Sequence, residues 1–381
     1  MSLHADVDIQ QLYKNGEELC GDNVIVTRSP ENTTIVISDG LGSGVKANIL
    51  ATMTTKIASS MLKHNIRLEE VVKTIAETLP VCKVRKIAYS TLQIIKITTD
   101  GRATVVEFDC PPTFFVRDGQ VTPFPLEKKL IGDKMVGVGH LQLLEDDILV
   151  AVSDGVIHAG LGALLKLGWG WNGVAEELKD VCYRCPPVET ITRRIAGCCE
   201  GYYLGKPGDD TTVVAVKVHP ARSLSLLTGP PKDMANDEKV IRRFLNNEGK
   251  KVIAGGSTAN MVANYLGEKV GVSLVSEDPN VPPIGYLEGI DLVTEGILTL
   301  NVVIDRLLDA SLSDSPLEDG ATLMAKMLSE ADLIEILAGT AINPAHQNPN
   351  FPFKINLKSQ VLGKLQKILQ NKGKKVHLEW V

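Results

Sequence analysis

The 381-residue chain has no uninterrupted apolar run near the roughly 20 residues a membrane helix requires, and Met1 to Gln11 carries neither a basic leader nor an apolar core. It also lacks a dense basic patch with interleaved aromatics, and its net charge is −6, so it is not built as a general nucleic-acid binder. These absences predict a cytoplasmic protein with no membrane and no nucleic-acid partner. Cysteine is missing from the second half: Cys20, Cys82, Cys110, Cys182, Cys185, Cys198 and Cys199 all lie before residue 200. An odd number without a secretion signal argues against a disulfide framework. Cys182 and Cys185 with Cys198 and Cys199 have a spacing that zinc or an iron–sulfur cluster uses, but adjacent cysteines chelate one ion poorly, so reduced, partly buried thiols are expected. What the chain has is apolar content of 44%, ample for packed cores, and a length that suggests two domains.

The first half reads as strands and helices in an order that places carboxylates at strand ends. Asn23 to Arg28 and Thr33 to Ser38 alternate around Ser29-Pro30-Glu31-Asn32 as a hairpin. Gly44 to Lys63 and Leu68 to Leu79 carry apolar residues at helical spacing, such as Ile49, Met53, Ile57 and Met61. A meander follows: Ser90 to Thr98 with Ala103 to Asp109, then Thr113 to Arg117 with Val121 to Phe124 around Asp118-Gly119. Gly132 to Gly139 reads as a glycine-dotted link. Asp147 to Val152 is a buried strand, followed by helices predicted at His158 to Leu167, Asn172 to Cys182 and Glu189 to Glu200, and a final strand at Val213 to Val218.

Three of these strands abut Asp-containing turns. Val36-Ile37-Ser38 runs into Asp39-Gly40-Leu41-Gly42-Ser43-Gly44, Val150-Ala151-Val152 into Ser153-Asp154-Gly155, and Gly208-Asp209-Asp210-Thr211-Thr212 leads into the last strand. Asp22, in Cys20-Gly21-Asp22, precedes the first strand of the hairpin. A strand end holds a carboxylate rigidly, and glycine lets the backbone turn inward toward an ion. Oxygen-only donors suit magnesium or manganese; zinc favours histidine and cysteine, which these turns lack. Gathered acids repel unless a divalent cation lies among them. Arg28 fits either a phosphate contact or a solvated strand end, and His158 either a proton donor or a helix-surface histidine.

Together, Gly21-Asp22, Ser38 to Gly44, Ser153-Asp154-Gly155 and Gly208 to Val214 resemble the ordered motifs of PPM-type metal-dependent protein serine/threonine phosphatases, in particular the SpoIIE-like bacterial branch, over about residues 15–218. Thr211 departs from the pattern, standing where an apolar residue is more usual. The resemblance implies an α+β domain over 1–220: a four-layer α-β-β-α sandwich of two antiparallel sheets flanked by helices. It implies two divalent cations, Mn2+ or Mg2+, with Asp39 bridging them, Asp22 and the Gly40 carbonyl completing one site, and Asp154 and Asp209 holding the other, with Asp210 a further or alternative ligand. Asp39 and Asp154 would then be catalytic, and water activated between the ions would hydrolyse phosphoserine or phosphothreonine. The implied partner is a phosphoprotein, an anti-anti-sigma-like regulator in this branch; a homodimer is compatible with the sequence. In that branch the segment of Gly42, Gly44 and the helix from Val45 is the moving part. The competing reading is a non-catalytic, phosphatase-like scaffold whose second domain does the binding.

Residues 221–234, including Thr228-Gly229-Pro230-Pro231, read as a linker. Residues 235–381 read as a smaller, open α/β domain with a mainly parallel sheet that senses a ligand or recruits a partner: strands at Lys251 to Ala254, Asp291 to Thr294 and Lys374 to Trp380, and helices at Ala259 to Leu266, Leu298 to Leu308 and Leu357 to Gln370. Gly255-Gly256-Ser257-Thr258 opens a helix whose free amides suit a small anionic ligand, although the same residues serve as ordinary helix caps. The faint likeness of this turn to that of sugar-phosphate isomerases covers about twenty residues. The polar loop from Gly339 to Pro349 is of a kind that more often binds than packs.

Overall fold

The computed structural model describes residues 2–78, 90–131, 134–273, 278, 281–309, 311–312, 315–341 and 354–381. Cys82 and most of the loop from Gly339 to Pro349 lie outside them. The chain forms two compact units, Met1–Pro220 and Ala221–Val381.

In the first unit the order is β1 (Leu3–Leu12), β2 (Asp22–Arg28), β3 (Asn32–Asp39), α1 (Gly44–Lys63), α2 (Leu68–Thr78), β4 (Leu92–Thr98), β5 (Arg102–Phe108), β6 (Phe114–Arg117), β7 (Gln120–Pro123), β8 (Glu127–Ile131), β9 (Lys134–Gln142), β10 (Ile148–Val152), α3 (Asp154–Ile157), α4 (Gly170–Cys182), α5 (Val188–Tyr202) and β11 (Thr211–Pro220). The strands build two antiparallel sheets, β1-β11-β10-β6-β7 and β2-β3-β4-β5-β9-β8. Side chains alternate across each strand, and the inner strands β3, β10 and β11 are buried on both faces and read largely as apolar runs. Ile35, Ile37, Ile95 and Val105 meet Leu149, Ala151, Val214 and Val216 between the sheets. Val36, Ile94 and Val106 point the other way, onto Ala58, Leu62, Val71 and Ile75 of α1 and α2. On the opposite outside, Phe114, Val150 and Val213 pack on Leu178, Ile191 and Ile195 of α4 and α5. The result is the four-layer α-β-β-α sandwich.

Three elements differ from the sequence reading. His158 to Leu167 is not a helix: Gly160, Gly162 and Gly168 have φ of +78°, +72° and +77°, left-handed conformations that break a helical path. Gly132 to Gly139 is not simply a link, because Gly137 and Gly139 lie inside β9, and a Cβ on Gly139 would sit 2.0 Å from the Pro125 carbonyl oxygen. β1, with Asp6, Asp8, Gln10 and Gln11 along it, had no counterpart in the reading.

The second unit contains β12 (Ser223–Thr228), α6 (Asp237–Asn246), β13 (Lys250–Ala254), α7 (Gly256–Leu266), β14 (Gly271–Val272), β15 (Gly285–Tyr286), β16 (Leu292–Thr294), α8 (Ile297–Leu308), α9 (Gly320–Glu330), β17 (Leu333–Ala338), α10 (Lys354–Asn371) and β18 (Lys375–Trp380). Its sheet runs β14-β15-β16-β13-β12-β17-β18, parallel from β16 to β18. Leu224, Leu226 and Val252 face Leu300, Ile304, Met324 and Leu365 of α8, α9 and α10. Leu227 and Ile253 face Phe244 and Val262 of α6 and α7 on the other side. Residues 221–234 are therefore not a linker: Leu224-Ser225-Leu226-Leu227 lies in β12, an inner strand of this sheet buried on both faces.

Candidate metal centre

Antiparallel pairing places Asp22, at the start of β2, directly opposite Asp39, at the end of β3. In the other sheet β10 and β11 pair Val152 with Val213, and the Ser153 amide donates to the Thr212 carbonyl at 3.0 Å. Asp154, just past β10, therefore neighbours Asp209 and Asp210, just before β11. Thr212 joins the two sheets at this edge, its hydroxyl donating to Asp22 Oδ2 at 2.6 Å and accepting from Gln11 Nε2 at 3.0 Å. The Ser153 hydroxyl accepts from the Thr212 amide at 2.8 Å.

The backbone around these acids has little room. The Gly40 amide donates to the Gly21 carbonyl at 3.1 Å, and a Cβ on Gly40 would lie 2.1 Å from the Ala47 carbonyl oxygen of α1. Only a residue without a side chain brings the strand end this close to the helix. The base of β3 is fixed by the Thr91 hydroxyl, which accepts from the Asp39 amide at 2.8 Å, and by Ser38, whose hydroxyl bonds to that of Ser90. A Cβ on Gly155 would strike the Asp210 carbonyl oxygen at 2.1 Å, and the Tyr203 hydroxyl donates to the Gly155 carbonyl at 2.6 Å.

The acids act on one another. Asp22 is 2% exposed; burial first, then repulsion from Asp210 and Asp154, pushes its carboxyl up to about 6 against the hydrogen bonds from Thr212 and Ser153. Burial together with Asp22, Asp154 and Asp209 pushes Asp39 up to about 10. Burial and Asp154 raise Asp209, opposed by Lys14. Lys14 has its ammonium 3.8 Å from Asp209 Oδ1 and its amide 3.1 Å from Asp210 Oδ1. Asp22 Oδ1 and Asp210 Oδ2 are buried without any hydrogen-bond donor. No three of the acids place an oxygen each within 4.8 Å of one another, the spacing expected of like charges that hold apart.

A set of carboxylates, two of whose oxygens are buried without proton donors, fits hard divalent cations. Asp22, Asp39, Asp154, Asp209, Asp210 and the Gly40 carbonyl could hold them, and the fold brings all six residues to one edge. Gly255, Gly256, Ser257 and Thr258 belong to the second unit, at the start of α7. Arg28 does not reach the acids: it lies at the far end of β2 and binds the Ala5 carbonyl at 2.8 Å and Thr33 at 3.2 Å. His158 caps α3 and is exposed. Lys14, Ser153 and Thr212 were not singled out by the sequence reading; Ser153 and Thr212 stand inside the Asp motifs, whereas nothing in the sequence marks Lys14.

A family profile described as stage II sporulation protein E (SpoIIE) matches residues 29–219. The stage II sporulation protein E of Priestia megaterium is 23% identical over 225 residues, which cover 56% of this chain and 36% of that protein. The chain thus spans little more than a third of that relative. Among solved structures, the PP2C phosphatase domain with a fragment of the regulatory domain of SpoIIE from Bacillus subtilis superimposes with a TM-score of 0.50 at 23% identity, covering 57% of this chain and 64% of that one. The phosphatase domain of the same protein in a crystal form without domain swapping gives a TM-score of 0.44 at 24% identity, over 57% and 93% of the two chains.

Proposed function

Because the chain belongs to the SpoIIE family, we propose that its first unit is a metal-dependent protein serine/threonine phosphatase and that the edge carrying Asp22, Asp39, Asp154, Asp209 and Asp210 is its active site. The observation that carries this reading is the meeting of acids from both sheets with two buried oxygens, Asp22 Oδ1 and Asp210 Oδ2, that have no donor. Two divalent cations, Mn2+ or Mg2+, would acidify a water for attack on phosphorus and offset charge on the phosphoryl oxygens as the serine or threonine oxygen leaves. The chain's part is to hold and orient. Asp39, central among the acids, would serve both ions; Asp22 with the Gly40 carbonyl would serve one, and Asp154 with Asp209 or Asp210 the other. Thr212 and Ser153 fix Asp22 and the start of β11, and Tyr203 fixes the turn carrying Asp154. Lys14, now beside Asp209, would be free to meet a substrate phosphate once Asp209 turned toward an ion.

The substrate of this reading is a phosphoprotein in the cytoplasm, of the anti-anti-sigma-like kind. The second unit would regulate the first by taking a small anionic ligand at Gly255 to Thr258. The test is hydrolysis of p-nitrophenyl phosphate and of a phosphoserine peptide with manganese, magnesium or chelator. Activity that requires a divalent cation and is lost in Asp39→Asn, with an unchanged circular dichroism spectrum, is expected. Turnover that survives in Asp39→Asn would sink the assignment.

A further inference from the structure

The second unit holds a feature that the Gly255 to Thr258 reading does not use. From β16 to β18 its parallel strands lie in the order β16-β13-β12-β17-β18. The chain moves outward from β12 to β13 and β16, then returns to the other side of β12 for β17 and β18. Strand order therefore reverses between β12 and β17, and in open α/β sheets the crevice beyond the carboxyl ends at such a point is where ligands bind.

Lys358 of α10 reaches into that place. Its ammonium donates to the carbonyls of Thr228 at 2.8 Å and Gly339 at 2.7 Å, the last residue of β12 and the first after β17. Among the described residues no carboxylate acts on it, and the sequence contains no acid between Glu335 and Glu379. Among the described residues two carbonyls engage two of its three N–H groups, and the ammonium keeps its formal positive charge. Burial pushes this lysine down to about 8.

The floor around it is bare backbone. Gly229 has φ of +75°, and a Cβ there would lie 2.3 Å from Lys358 Nζ; a Cβ on Gly339 would lie 2.0 Å from the Pro230 carbonyl oxygen. The Gly229 amide donates to the Thr258 hydroxyl at 2.8 Å, so the first turn of α7 and the lysine flank the same glycine. Gly256 and Ser257 of that turn are exposed. A half-buried lysine with no carboxylate partner among the described residues, beside an open helix start at a switch point, is an arrangement for an oxyanion.

We propose that Lys358 is the charged contact of a small-metabolite site at the β12–β17 switch point, recognising a phosphate or carboxylate group together with the start of α7. This rests on the second unit being an anion receiver and moves the weight of recognition from the turn to the lysine.

The test uses the full chain in chelator, with inorganic phosphate as probe, acetate as a second arm and sodium chloride at matched ionic strength as control. Acetic anhydride labelling is read at individual lysines by peptide mass spectrometry across pH. Phosphate, acetate or both should slow labelling of Lys358 by about fivefold or more at concentrations well above the dissociation constant, with Lys364 and Lys367 of the same helix unaffected. The more protective of the two names the group recognised. Equal effects on all three lysines would overturn the proposal. Melting of Lys358→Met and Lys358→Arg in the same salts separates the two ways of failing. A stabilisation by phosphate that persists undiminished in Lys358→Met leaves an anion site but removes the lysine from it. Neither protection nor stabilisation of the wild type by either anion removes the receiver reading as well. Should Lys358→Met not fold, wild-type labelling alone decides.

Discussion

Asp22→Asn in the metal-free protein tests the electrostatic core of the proposed site. Asp22 is 2% exposed and its carboxyl is raised from 3.8 to about 6 by burial and by neighbouring acids. Near neutral pH, that shift corresponds to a penalty on the order of 3 kcal/mol on folding with the charge in place. Asparagine removes the charge and can still accept the Thr212 hydroxyl through its amide oxygen, at a loss of about 1 kcal/mol for a weaker acceptor. In chelator at pH 7.5 the variant should thus be more stable by roughly 2 kcal/mol, raising the melting temperature of a unit this size by about 4–8 °C. For an acid raised in the folded state, stability is fully present below the unfolded value and lost as pH rises through the folded one. The advantage of the variant should therefore vanish near pH 3.8, grow toward pH 6 and stay level above it. Manganese should reverse the ranking, because ligand at a hundred times its dissociation constant stabilises the wild type by about 2.7 kcal/mol. Tryptophan fluorescence suits the measurement, since Trp169 and Trp171 lie in the first unit. An Asp22→Asn protein that melts at or below the wild type in chelator at pH 7.5 would refute the account of a penalised acid cluster.

Tyr203→Phe removes the donor to the Gly155 carbonyl; a loss of about 1 kcal/mol is expected in thermal melting, together with slower metal-dependent hydrolysis. Gly155→Ala drives a Cβ to 2.1 Å from the Asp210 carbonyl oxygen; destabilisation of about 1–3 kcal/mol and loss of manganese stabilisation should follow, and a wild-type response to manganese would count against close packing of the two turns. Among the described cysteines, Cys185 is exposed and Cys198 half-buried with its thiol raised by burial and by Glu177, whereas burial pushes the thiols of Cys20, Cys110, Cys182 and Cys199 up by more. Brief iodoacetamide treatment followed by peptide mapping should find label at Cys185 and Cys198 before those four.

The parts of the fold legible in the sequence were those in which local pattern and tertiary role agree. Ile35 to Ile37 and Ile148 to Val152 are apolar throughout because a sheet buried on both faces needs every position, and the Asp-Gly turns that follow them stand out against them. β1 was missed because it carries Asp6, Asp8, Gln10 and Gln11 at the sheet edge, where polar side chains reach solvent or the site. The leucines at 161, 164 and 167 lie in the stretch read as a helix, yet they are 54%, 56% and 86% exposed, and the glycines around them turn the chain instead. β12 escaped notice because a short run flanked by proline looks like a boundary until its parallel neighbours are known. At the site the acids could be named individually, but Lys14 could not, because its place beside Asp209 and Asp210 depends on how the segment between β1 and β2 folds back on the start of β11.

Thr212 belongs to one leaf of the sandwich and Asp22 to the other, and the Thr212 hydroxyl ties the seam between them at the cleft. Whatever loads or strips the cleft must act on that seam as well as on chemistry. Scarcity of the ion would first show as breathing along this border, offering the interior to proteases at the place where substrates arrive.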